Sequence, residues 1–203
     1  MPARKAMIGA GAALAVLVLA GAGVLGYRAL NGGGNIVSSV AEIGAPFELI
    51  DDDGNPITEK AFLGHPNLLY FGFTRCPEVC PTTLYEMAGW LNTLGEEGRD
   101  IRAFFVSVDP ERDTPEIMKG YAEAFTDRVT GITGDPAKVE ALLKAWRVYH
   151  AKVPTEDGDY TMDHTASVFL VGPKGEFEGT ISYGEQTDVA LQKIRNLIAK
   201  SRG

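Results

Sequence analysis

Hydrophobic positions along the chain change character twice. Ala6 to Gly26 is an unbroken run of 21 residues without a charged or strongly polar side chain, close to the about 20 residues an apolar helix needs to span a bilayer. Asn31-Gly32-Gly33-Gly34-Asn35 then has the composition of a flexible tether. From about Ile43 short apolar runs alternate with amphipathic stretches, the pattern of an α/β domain with a mixed sheet. The expected layout is a membrane anchor over 1–28, a linker over 29–42 and one folded domain over 43–203.

Within that domain, Phe47 to Ile50 and Pro56-Ile57 flank the turn Asp51-Asp52-Asp53-Gly54-Asn55 and read as a short hairpin, followed by a helical turn over 58–63. Asn67 to Phe73 is a continuous apolar run bounded by Pro66 and Thr74-Arg75, hence a buried central strand. A helix capped by Thr82 or Thr83 should run to about Glu97, with Leu84, Met87, Ala88, Leu91 and Leu94 on one face. Ile101 to Val108 reads as the next strand, 115–125 and 136–146 as helices, the second capped by Asp135. Ser167 to Val171 and Glu176 to Ser182 flank Gly172-Pro173-Lys174-Gly175 as a hairpin, and a helix over 188–200 follows.

Charge assigns the compartment. Arg4 and Lys5 precede the apolar run, so the positive-inside rule keeps the N-terminus cytoplasmic and sends the domain across the membrane. A cleaved signal is the alternative, with small residues around Ala20-Gly21-Ala22, but the run exceeds the 7–15 residues of a usual h-region. It lacks the Arg- and Ser-rich character of a transit peptide, which points to a bacterial inner membrane and a periplasmic domain. Arg4, Lys5 and Arg28 are the only charges up to position 28, so the remainder is more acidic than the net −8 of the whole. Such a surface argues against a nucleic-acid partner.

The 203 residues contain only two cysteines, which excludes a disulfide scaffold, and both fall in Phe73-Thr74-Arg75-Cys76-Pro77-Glu78-Val79-Cys80-Pro81. A spacing of four brings two sulfurs to one side of a helical turn, and a position before a helix favours thiolate. Thiolates suit Cu(I), zinc or iron-sulfur clusters. Two leave a site incomplete. Of three histidines, His164 stands before a buried strand and is the best third ligand, whereas His65 and His150 look like surface residues. The same thiols can form a disulfide in an oxidising compartment. A purely structural disulfide over so short a loop would stabilise little.

The stretch Gly72-Phe73-Thr74-Arg75-Cys76-Pro77-Glu78-Val79-Cys80-Pro81 resembles the signature of the Sco/SenC family. Ser107-Val108-Asp109-Pro110-Glu111-Arg112-Asp113-Thr114-Pro115-Glu116 is similar to its second block, and Asp163-His164-Thr165-Ala166 to the block with its histidine. Glu78 and Thr165 replace a common aspartate and a common serine. The resemblance spans about Ile43 to Lys200.

This resemblance implies a thioredoxin-like fold and a membrane-anchored copper chaperone for the dinuclear copper site of cytochrome c oxidase subunit II. Cys76, Cys80 and His164 become the ligands of Cu(I) or Cu(II), with Asp163 beside the histidine. A periplasmic copper donor and a thiol reductant are the other implied partners, and no residue need be catalytic. The alternative is a thiol-disulfide reductase acting on that subunit through a redox-active Cys76–Cys80 disulfide. Only copper needs His164. A peroxiredoxin-like peroxidase and a zinc site on the same ligands are further readings.

Overall fold

The computed structural model describes residues 44–202. The anchor and linker expected over 1–42 lie outside them. Among the described residues no helix is long and apolar enough to cross a membrane.

The chain runs β1 (Glu48–Asp51), β2 (Pro56–Thr58), β3 (Asn67–Gly72), α1 (Val79–Leu94), β4 (Arg102–Ser107), α2 (Pro115–Glu123), β5 (Val129–Thr133) and α3 (Pro136–Ala145). It continues through β6 (His150–Pro154), β7 (Tyr160–His164), β8 (Ser167–Val171), β9 (Phe177–Ser182) and α4 (Thr187–Ser201). Seven strands form a mixed sheet in the order β2-β1-β5-β4-β3-β8-β9, and β6 and β7 pair as a separate hairpin. Strands β3, β4 and β5 are parallel, joined by crossovers through α1 and α2, whereas β1 and β8 run antiparallel to their neighbours.

Strand β3 is buried at every position. Its two faces carry different aromatics because side chains alternate along a strand. Phe71 packs against Trp146 and Phe169, while Tyr70 stacks on Phe105, which meets Tyr121.

Helix α2 begins as its sequence demands: Thr114 accepts from the Ile117 N–H, and Pro115 fills the first helical position, where no N–H is needed. Asp135 and Pro136 do the same for α3. Helix α1 departs from expectation. It starts at Val79 with Glu78 at the cap position. Thr83 instead turns its hydroxyl back onto the Val79 carbonyl, and the Thr82 N–H donates to Glu78 O, so neither threonine caps the helix. Pro81 fits the first turn for the same reason as Pro115.

Register places the site. Tyr70 pairs with Val168 in the antiparallel β3–β8 ladder, so the start of β8 lies beside the end of β3. Whatever precedes Ser167 is therefore delivered to the loop that carries the cysteines.

Candidate metal centre

Cys76 sits in the loop after β3 and Cys80 in the first turn of α1, so the pair straddles a helix start rather than preceding the helix together. The loop closes through the Cys76 N–H on Phe73 O at 3.3 Å. The Cys80 N–H then donates to Cys76 Sγ at 3.2 Å, and that free amide at a helix N-terminus favours negative charge on the sulfur. Both cysteines are free, Cys80 fully buried and Cys76 half-buried.

Their acidities diverge. Hydrogen bonding from Cys80 outweighs the cost of burial and, with help from backbone amides, lowers Cys76 to about 4. As the donor in that pair, and buried besides, Cys80 is pushed strongly upward. The metal-free pair is one half-buried thiolate beside one buried thiol.

His164 ends β7 and holds Nε2 3.4 Å from Cys80 Sγ. Its Nδ1 lies 3.0 Å from the Thr165 carbonyl, an oxygen that can only accept, so Nδ1 carries the proton and the Nε2 lone pair is free for the sulfurs. Phe73 and Tyr70 meet the imidazole edge-on at 5.8 and 6.2 Å between centroids. Asp163 alternates to the exposed side of β7 and plays no part in this orientation. The orienting group is a backbone carbonyl, to which residue type gives no clue.

The ligand atoms of Cys76, Cys80 and His164 lie within 4.8 Å of one another. Trigonal ligation with metal–sulfur bonds of about 2.3 Å would separate donors by about 4 Å, so small side-chain adjustments close the set on one ion. Two thiolates and an imidazole are a soft donor set.

His65 and His150 stay away. His65 lies 3.2 Å from the Asp100 carbonyl. His150 pairs in register with His164 across the β6–β7 hairpin, yet its ring turns to Glu140 at 2.7 Å and is largely covered, so it is not the plain surface residue expected.

Three supports show only in space. A Cβ at Gly72 would stand 2.8 Å from Cys80 Sγ and 2.8 Å from the Phe105 ring, so only glycine admits the sulfur there. Buried Asp113 accepts from the Thr74 hydroxyl at 2.6 Å, the Thr74 N–H at 3.3 Å and the Ser107 hydroxyl at 2.7 Å, bracing the cysteine loop against the end of β4. Burial raises its pKa against those bonds. Finally, Arg112 clamps the hairpin that carries His164: it pairs with buried Asp109, bonds Asp159 at 3.1 Å and Tyr160 O at 2.9 Å, and lies 3.7 Å over the Tyr160 ring. The Tyr160 hydroxyl returns to Asp109 at 2.9 Å, and Asp159 also meets Arg75 of the cysteine loop. The block 107–116 is thus structural support for both halves of the site.

The chain is similar to known proteins. The mitochondrial SCO1 homolog 1 of Arabidopsis thaliana is 41% identical over 150 residues, 73% of this chain and 44% of its own length. The chain thus spans less than half of that relative. The structure of Bradyrhizobium japonicum ScoI with copper bound matches with 42% identity and a TM-score of 0.71 over 76% of this chain and 99% of that one. The structure of BsSco, described by its disulfide switch and as a member of the Sco family of cytochrome c oxidase assembly proteins, matches at 28% identity and a TM-score of 0.62, over 78% of this chain and 94% of that one. The domain has their thioredoxin-like α/β fold with a mixed central sheet. The SCO1/SenC family model matches residues 37–199, a span that holds the cysteine loop, the bracing block and the histidine hairpin, and the chain therefore belongs to the SCO1/SenC family.

Proposed function

We propose that this chain binds one copper ion through Cys76, Cys80 and His164 and delivers it to the dinuclear copper site of cytochrome c oxidase subunit II. The observation that carries this reading is the convergence of two sulfurs and a pre-oriented imidazole nitrogen within 4.8 Å, a donor set whose softness suits Cu(I) and which takes Cu(II) with an added ligand. Copper in the related ScoI structure favours it over zinc. Copper is cargo here, so no residue need be catalytic. The proposed layout is an anchor over 1–28, a linker over 29–42 and the binding domain from 43, held on the periplasmic face of a bacterial inner membrane and served there by a copper donor and a thiol reductant.

The binding residues do separable work. Cys76 is already thiolate at neutral pH, so it can meet incoming metal first. Cys80 must give up a proton to become a ligand, and metal uptake therefore releases acid. His164 arrives already oriented, because the Thr165 carbonyl holds its Nδ1.

A second reading, reduction of disulfides in the same subunit, is favoured by the acidity contrast: a partly accessible low-pKa thiolate beside a buried thiol is the arrangement of a dithiol reductant. His164→Ala separates the two. Copper should bind weakly or with altered geometry, and Cys76 and Cys80 should still form and exchange a disulfide. Loss of oxidase assembly in cells with this variant supports delivery; normal assembly without copper binding leaves the reductase.

A further inference from the structure

Tyr70 is fully buried, and its ring edge and Cys80 Sγ crowd the same point beside Gly72, with Cys80 and Thr83 the polar groups that act on its hydroxyl. Yet the hydroxyl completes no hydrogen bond. Thr83 points its own O–H at the Val79 carbonyl and not at Tyr70, which leaves only its neutral oxygen as an acceptor, and a thiol sulfur is a weak one. The closeness is fixed by the strand: a Cβ at Gly72 would stand 2.8 Å from Cys80 Sγ and 3.3 Å from Tyr70 Cε1. A buried phenol without a partner is unusual, because such groups are nearly always satisfied.

Copper loading supplies the acceptor that the metal-free thiol lacks. When Cys80 loses its proton to become a ligand, its sulfur becomes a charged acceptor, and bonds to charged groups are the strong ones. We propose that Tyr70 is the positioning residue of the buried sulfur, donating its phenolic hydrogen to Cys80 in the copper-loaded protein and thereby setting how strongly that sulfur binds and how much charge it gives the metal. On loading, the Cys80 S–H bond breaks, a copper–sulfur bond forms, and the proton passes to solvent. The phenol keeps its own proton and shares it with the sulfur. A bond of this kind favours the Cys80 thiolate, and hydrogen bonds to a ligating sulfur tune affinity and redox behaviour. The proposal rests on the copper reading above.

Tyr121 supplies a matched control. Its hydroxyl is also buried and unpartnered, and its ring belongs to the same aromatic stack through Phe105.

The test compares Tyr70→Phe and Tyr121→Phe in the full chain, kept reduced. Three quantities are measured: thermal unfolding of the metal-free protein, Cu(I) affinity by competition with a chelator, and the sulfur-to-copper absorption of the Cu(II) form. Tyr70→Phe should leave metal-free unfolding unchanged, weaken copper binding by about tenfold to a hundredfold and move the absorption band to lower energy. Tyr121→Phe should change neither affinity nor band. Wild-type affinity and spectrum in Tyr70→Phe would overturn the proposal, as would an equal loss in Tyr121→Phe or a loss matched by weaker metal-free folding. An unsubstituted chain that takes up no copper would overturn the copper reading and this one with it, and shows itself before any substitution.

Discussion

Asp113 accepts a 2.6 Å hydrogen bond from the hydroxyl of Thr74, across 39 positions of chain. Thr74 stands two residues before Cys76 and Asp113 one residue before the cap of α2, so this single carboxylate ties the cysteine loop to the start of the neighbouring crossover. Replacing it strands the donors of Thr74 and Ser107.

Asp113→Ala should therefore destabilise the domain by about 2–4 kcal/mol, since each orphaned buried donor costs about 1–3 kcal/mol and water recovers part of it. Urea unfolding of the metal-free protein measures the loss. A variant as stable as the parent would remove the brace from the account of the site.

Gly72→Ala adds one methyl group where no space exists. The contacts at 2.8 Å to Cys80 Sγ and to the Phe105 ring should cost about 1–3 kcal/mol of overpacking. The shift should also fall on the sulfur. Reduced melting temperature together with weaker copper binding is the expected pair of results, and unchanged copper binding would show that the Phe105 side absorbs the added methyl without displacing Cys80.

Arg112→Ala should act on the hairpin rather than on the thiols. It leaves buried Asp109 without its cation, a loss of about 3 kcal/mol for a broken buried pair, and frees Tyr160 and Asp159 from their common anchor. Copper affinity should fall while disulfide exchange by Cys76 and Cys80 keeps its rate. A rate that falls in parallel with affinity would place the clamp's effect in the cysteine loop, through Arg75.

Alkylation reports the split acidity. In the reduced, metal-free protein iodoacetamide should label Cys76 well before Cys80. Because Cys76 titrates near 4, its labelling rate should stay nearly level from pH 8 to pH 5, where an ordinary thiol with a pKa of about 8.5 slows roughly tenfold per pH unit. The depressed value also carries a stability consequence of fixed sign. The unfolded chain binds this proton more readily, so the contribution is full above the unfolded pKa and drains as pH falls toward 4. Labelling that collapses below pH 8 would sink the thiolate assignment.

Legibility followed burial. Strands β3 and β4 and the β8–β9 hairpin were readable because long apolar runs between turn residues have few other uses. Strand β5 was not, being short and interrupted by Gly131, where a side chain would crowd Met118 and Asp52. The β6–β7 hairpin was missed because its strands are half exposed and carry Lys152 and Asp163; it is held by the Arg112 clamp, which leaves no periodic trace. At the site, Cys76, Cys80 and His164 were legible as rare, reactive residue types in telling places. Their supports were not. Gly72, Asp113 and Tyr70 act through distances that only the folded sheet creates, and the group that aims His164 is a main-chain oxygen.

The unequal exposure of the two sulfurs gives the site a front and a back. Cys80, in the first turn of α1, is fully buried, whereas Cys76 in the loop before it is only half-buried. On the copper-delivery proposal an acceptor's ligand would approach from the front, so Cys76 would be the first ligand exchanged and Cys80 and His164 the last. Release would then be a stepwise ligand exchange, each new bond offsetting the one it replaces, and an acceptor without a ligand that reaches the front would gain nothing by collision.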